Sequence, residues 1–191
     1  MNFRFLLFSI LTLSFMLKGC GAALVGGAAY GGYKGATDER SMGTMMDDSI
    51  ISTKVKTRMI GDEFVKAHNI DVDVLNGIVY LIGIGESSSQ KRMAADIARG
   101  VEGVRNVANQ LIVGKNSIGQ DFDDTMLTSK IRVKLLQVSD IRSTNIDVDT
   151  YNNVITLTGI VSTHQEINKV IYVVQKIAGN RHIINNLSVG K

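Results

Sequence analysis

Proline and tryptophan are absent from the 191 residues, and cysteine occurs once, at Cys20. A single cysteine excludes an intrachain disulfide. The three histidines, His68, His164 and His182, have no metal-ligand spacing among themselves or with Cys20, so no metal site is assigned. No nucleophile stands beside a base, so no catalytic residue is assigned and an enzyme is not expected. Gly83-Ile84-Gly85 precedes a helical pattern but lacks the form of a phosphate-binding loop. The pairs Asp71/Asp73 and Asp147/Asp149 have strand spacing, which puts each pair on one outward face and reads as a solvated surface. A large charge excess is also missing. The formal net charge is +3, and without Arg4 and Lys18 the balance is 19 basic residues against 18 acidic. Scattered lysines and arginines without interleaved aromatics argue against nucleic acid as a partner.

No run is long enough to cross a bilayer as a helix. The apolar stretch at residues 5–17 follows Arg4 and has the size of a signal-peptide core. Leu17-Lys18-Gly19-Cys20 then resembles a lipobox, with Lys18 in place of the usual small or apolar residue. This predicts a signal peptide at residues 1–19. It also predicts a Cys20 that carries a covalent diacylglycerol and an N-acyl chain. Two or more chains anchor stably where one is marginal. No other cofactor is expected. Residues 20–46 are read as a lipidated linker rich in glycine and alanine, either a flexible spacer or a segment lying along the bilayer interface.

The most informative feature is an internal repeat. Shifted by 76 positions, residues 48–115 overlay residues 124–191 without a gap. Asn69-Ile70-Asp71-Val72-Asp73 falls on Asn145-Ile146-Asp147-Val148-Asp149, and Val113-Gly114-Lys115 falls on Val189-Gly190-Lys191. Each copy opens with a good N-cap, Asp48 or Asp124, before three to four helical turns. An alternating strand follows, then a hairpin signal at Asn76-Gly77 or Asn152-Asn153, where both turn residues need positive φ. A second strand, a second helix to about Val101 or Ala178, and a third strand at residues 107–113 or 183–189 complete the unit. The fold class is α+β: two tandem αββαβ modules, residues 47–115 and 123–191, each a three-stranded sheet covered by two helices. Modules this small bury little, so the copies are expected to lean on each other.

At about 100° per residue, Leu127, Ile131, Leu135 and Val138 form the core stripe of the second module's first helix. Met126, Val133 and Leu136 fall on the opposite side, flanked by Lys130 and Arg132, while Lys134 lies beside the core stripe. An apolar face rimmed by cations suits an anionic membrane surface. Packing of the same residues against the first module is the other reading. The first copy has Thr57 in place of Val133. Residues 47–115 carry nine acidic and nine basic residues, and residues 123–191 carry six and eight.

The strand, Asn-Gly turn, strand and glycine pattern in two tandem copies resembles the BON-domain family. With the lipobox, and with residues 36–44 followed by Asp47-Asp48, the chain is similar to the dual-BON outer-membrane lipoproteins. The resemblance implies an outer-membrane, lipid-anchored, periplasm-facing protein. It implies binding of anionic phospholipid through the first helix of the second module, and a role in membrane integrity and cell division. Met126, Lys130, Arg132, Val133, Lys134 and Leu136 are the candidate lipid-binding residues. Met126 stands where that family carries a tryptophan. The alternative function is a periplasmic adaptor that docks an envelope assembly or cell-wall hydrolase regulator through either module's sheet.

Overall fold

The computed structural model describes residues 40–115 and 117–190, and in it the chain runs twice through one order of elements. The first module holds α1 (Met42–Ile60), β1 (Ile70–Leu75), β2 (Ile78–Gly85), α2 (Ser88–Arg99) and a third strand in two pieces, β3 (Asn106–Asn109) and β4 (Ile112–Val113). The second holds α3 (Ile118–Leu136), β5 (Ile146–Tyr151), β6 (Val154–Val161), α4 (His164–Ala178) and β7 (His182–Val189). These are the expected αββαβ modules. The expected signal peptide at residues 1–19, the expected lipidation site Cys20 and the expected linker as far as residue 39 lie outside the described residues. No helix among the described residues is long and apolar enough to cross a membrane.

The helix starts differ from the sequence reading. Ser41 caps α1 and accepts from the Thr44 N–H at 3.2 Å, and Ser117 caps α3 and accepts from the Gln120 N–H at 3.3 Å. Met42 and Met46, read as linker, therefore lie in α1. Asp48 and Asp124 sit inside their helices and are buried. Each lies on the core-facing stripe, where its carboxylate meets the hairpin. Asp48 accepts from the Asn76 and Gly77 N–H groups, both at 2.8 Å. Asp124 accepts from Asn152 at 2.6 Å and Asn153 at 3.1 Å. Positive φ at Asn76, Gly77, Asn152 and Asn153 turns these amides inward, and a charged acceptor satisfies them.

Each sheet has its second strand in the centre. β1 pairs antiparallel with β2, and β2 pairs parallel with β3 and β4 across the α2 crossover. β5, β6 and β7 repeat the pattern. The first module's third strand breaks at Gln110 and Leu111, where Asn109 Oδ1 takes the Leu111 N–H, but the Gln110 N–H still donates to Leu81 O. Gly83 and Gly159 are required by close approach. A Cβ at either would lie 2.2 Å from the carbonyl oxygen of Asn69 or Asn145.

Each module has its own core. Ile51, Val55 and Met59 of α1 pack on Val72, Val79 and Leu81, and Leu127, Ile131 and Leu135 of α3 pack on Val148, Ile155 and Leu157. The helices cover one face of each sheet. The opposite faces close on each other, so β6 is buried along both faces and Thr156, Thr158 and Ile160 are nearly inaccessible. Ile82 and Ile84 are buried from the first module's side. The modules thus lean on each other through their sheets, with β1 meeting β6 and β2 meeting β5. Gln110 and Asn186, 76 positions apart, exchange two amide hydrogen bonds at 2.8 and 2.9 Å. Asp73 likewise meets Asp149, its own repeat counterpart. Contacts between equivalent residues mark a pseudo-twofold axis.

Candidate functional site

Opposite its core stripe, α3 presents Phe122, Met126, Val133 and Leu136, each more than half exposed. The spacing of four, seven and three residues keeps them on one side of the helix. The second reading of Met126, Val133 and Leu136, as packing against the first module, is therefore overturned. The first module meets the far side of the sheet instead. Val138 is partly buried against the core, as its position on the stripe implies.

The cations divide into two groups. Lys130 and Lys134 are exposed and make no ion pair among the described residues. Arg132 is drawn the other way. Its Nη2 donates to Asp147 Oδ1 at 2.6 Å and to Val148 O at 2.7 Å, and lies 3.7 Å from Asp149 Oδ1. As a lipid-facing cation Arg132 is thus corrected, because its guanidinium is committed to β5. Lys56 holds Asp71 in the same way in the first module, at 3.0 Å.

Phe122 is the residue that the sequence reading missed. It lies one turn before Met126, in a segment placed ahead of the helix when Asp124 was read as the cap. Its signal is the heptad-like spacing to Met126, Val133 and Leu136, legible once Ser117 is taken as the start. Beside α3, α4 exposes Tyr172, with Lys176 Nζ 5.0 Å from its ring centroid. In the first module α1 exposes Met46, Ile50 and Ile60 at the matching positions, with Thr57 in place of Val133.

The acidic pairs depart from the expected solvated surface. Asp149 is buried, Asp73 and Asp71 are partly buried, and only Asp147 is exposed. Period-two spacing placed them on one face correctly, but that face is covered by the other module. Burial, then Asp147 and Asp71, pushes Asp73 up to about 6. Burial, then Asp147, Asp73 and Asp71, pushes Asp149 up to about 8 against the opposing pull of Arg132. Tyr151 beside them is pushed up to about 12, chiefly by burial. The three histidines are exposed.

Paired αββαβ modules with caps, turns and glycines in register define a class of tandem-repeat α+β protein. The BON domain matches residues 47–115 and 123–191, and the chain belongs to the BON-domain family. It is 34% identical to outer membrane lipoprotein DolP of Haemophilus influenzae, over 92% of this chain and 91% of that protein. It is 31% identical to osmotically-inducible protein Y of Escherichia coli, over 82% of this chain and 79% of that one. It is 33% identical to the 21 kDa hemolysin of Actinobacillus pleuropneumoniae, over 71% of each.

Proposed function

We propose that this chain is a periplasm-facing lipoprotein of the outer membrane, anchored through acyl chains on Cys20, that reads anionic phospholipid through α3. The reading includes support of outer-membrane integrity and cell division. The observation that carries it is the outward stripe of Phe122, Met126, Val133 and Leu136 beside two lysines that make no ion pair among the described residues. Apolar groups enter the acyl boundary and ammonium groups meet phosphates, each basic group contributing about 1 kcal/mol near an anionic surface. The near full-length similarity to a protein named as an outer membrane lipoprotein supports the anchoring and the location. Binding, not catalysis, is the activity proposed. The adaptor alternative loses its stated surface, since both sheets close their open faces on each other.

The test is vesicle binding by residues 21–191, so that the anchor contributes nothing. Salt-sensitive binding to phosphatidylglycerol vesicles over phosphatidylcholine vesicles is expected, lost in Met126→Asp and weakened in Lys130→Glu. Arg132→Gln retains most of the affinity. Folded protein that binds neither vesicle overturns the reading.

A further inference from the structure

Three oxygens in the module interface are buried without a hydrogen bond among the described residues: Asp73 Oδ2, Asp149 Oδ2 and Thr158 Oγ1. They belong to one place. Carboxylate oxygens of Asp73, Asp147 and Asp149 all lie within 4.8 Å of one another. The Thr158 hydroxyl lies against the Asp73 carboxyl, where it favours the charged form without completing a bond of ordinary geometry. Thr158 is 2% exposed and Asp149 is 9% exposed, so neither orphaned oxygen reaches bulk water. Burying such acceptors unsatisfied is costly, and more so where they are charged. Three in one spot call for a common partner.

Charge points the same way. When all are ionised, Asp71, Asp73, Asp147 and Asp149 bring four negative charges to the interface, against two positive ones from Lys56 and Arg132. Two negative charges are left over. The donors are all oxygens, which suits a hard cation and not a thiolate-seeking metal. Calcium binds oxygen at about 2.3–2.6 Å in flexible geometry, so it accommodates oxygens that all lie within 4.8 Å of one another. Magnesium demands near-ideal octahedral geometry and gives up its waters reluctantly, so a buried all-protein oxygen set suits it less well. The exposed Asp147 carboxylate leaves a way in from solvent.

We propose that a divalent cation, calcium in preference to magnesium, binds between the two modules on Asp73, Asp147 and Asp149 with Thr158 Oγ1. The ion joins β1 of one module to β5 and β6 of the other. Its ligands come from both sheets, so it strengthens the closed pairing of the modules. Arg132 keeps its bond to one Asp147 oxygen and leaves the other for the ion. The site is separate from the outward face of α3, and it stands or falls independently of lipid binding.

The experiment uses the full chain in a neutral detergent, stripped with chelator and held at pH 8.5. It is melted across a series of calcium chloride or magnesium chloride, with potassium chloride at matched ionic strength as the control. Calcium at about a hundred times its Kd is expected to raise Tm by roughly 5 °C or more above the control, saturably, with magnesium less effective. Asp149→Asn loses the response, and Thr158→Val weakens it at least severalfold in apparent Kd. Should Asp149→Asn fail to fold, Asp73→Asn serves the same purpose. No saturable rise above the potassium control overturns the proposal. So does an undiminished rise in either asparagine variant, which would put the ion elsewhere.

Discussion

Asp48 and Asp124 show how one side chain ties two elements together. Each extends from a long helix into the hairpin turn and takes two turn amides that the sheet cannot satisfy. The partners differ around them. Arg40 pairs with Asp48 at 2.6 Å, while Gln120 donates to Asp124 at 2.9 Å. Replacing Asp124 by alanine orphans the Asn152 and Asn153 N–H groups. A loss of about 2–4 kcal/mol of stability is expected, read as a lowered urea midpoint with the slope unchanged. In the sequence these aspartates looked like caps because aspartate favours that position. The clue to the other role was their register. Asp48 precedes Ile51, Val55 and Met59 on one stripe, where a charged residue needs a buried partner.

The same shift in register decides what α3 can do as an element. Starting at Ile118 and not near Asp124, the helix gains two turns and with them Phe122. Its outward ring supplies the aromatic that Met126 does not. Phe122→Ser is expected to weaken phosphatidylglycerol vesicle binding roughly tenfold, about 1.4 kcal/mol of lost apolar contact. Met46→Ser, at the matching position of α1, is expected to change it less than twofold, since α1 has Thr57 where α3 has Val133. Cosedimentation of both variants with the same vesicles checks the pair. Strands, turns and core stripes were legible because periodicity and turn chemistry are local. The fate of Arg132 was not, because nothing on the helix itself tells that β5 claims the guanidinium.

The whole molecule adds what neither copy shows alone. Repeat register, module order and the need for mutual support could all be read in the sequence. The covering of the acidic face could not, since period two tells which residues share a face and not what lies upon it. The closed interface makes stability depend on pH. Asp149 is raised in the folded state by burial and by Asp147, Asp73 and Asp71, with Arg132 opposing, and Asp73 is raised by burial and by Asp147 and Asp71, with the Thr158 hydroxyl and Lys56 opposing. A raised carboxyl holds a proton that the unfolded chain has released, so its contribution is complete below the unfolded value near 4. That contribution is lost as pH rises through about 6 for Asp73 and about 8 for Asp149. In chelator, the urea midpoint is expected to fall between pH 5 and pH 8.5. Asp149→Asn flattens that decline, and an unchanged slope in the variant would refute the assignment.

The pseudo-twofold pairing is not an even one. Facing the interface, β2 carries Tyr80 and Ile82, and the matching residues of β6 are Thr156 and Thr158. Two first modules brought together would set bulk against bulk, and two second modules would leave a gap. Like copies therefore make poor partners. Because the complementary copy is tethered close by, each chain satisfies itself before it meets another. Crowding many such molecules together need not knit them to one another through this surface.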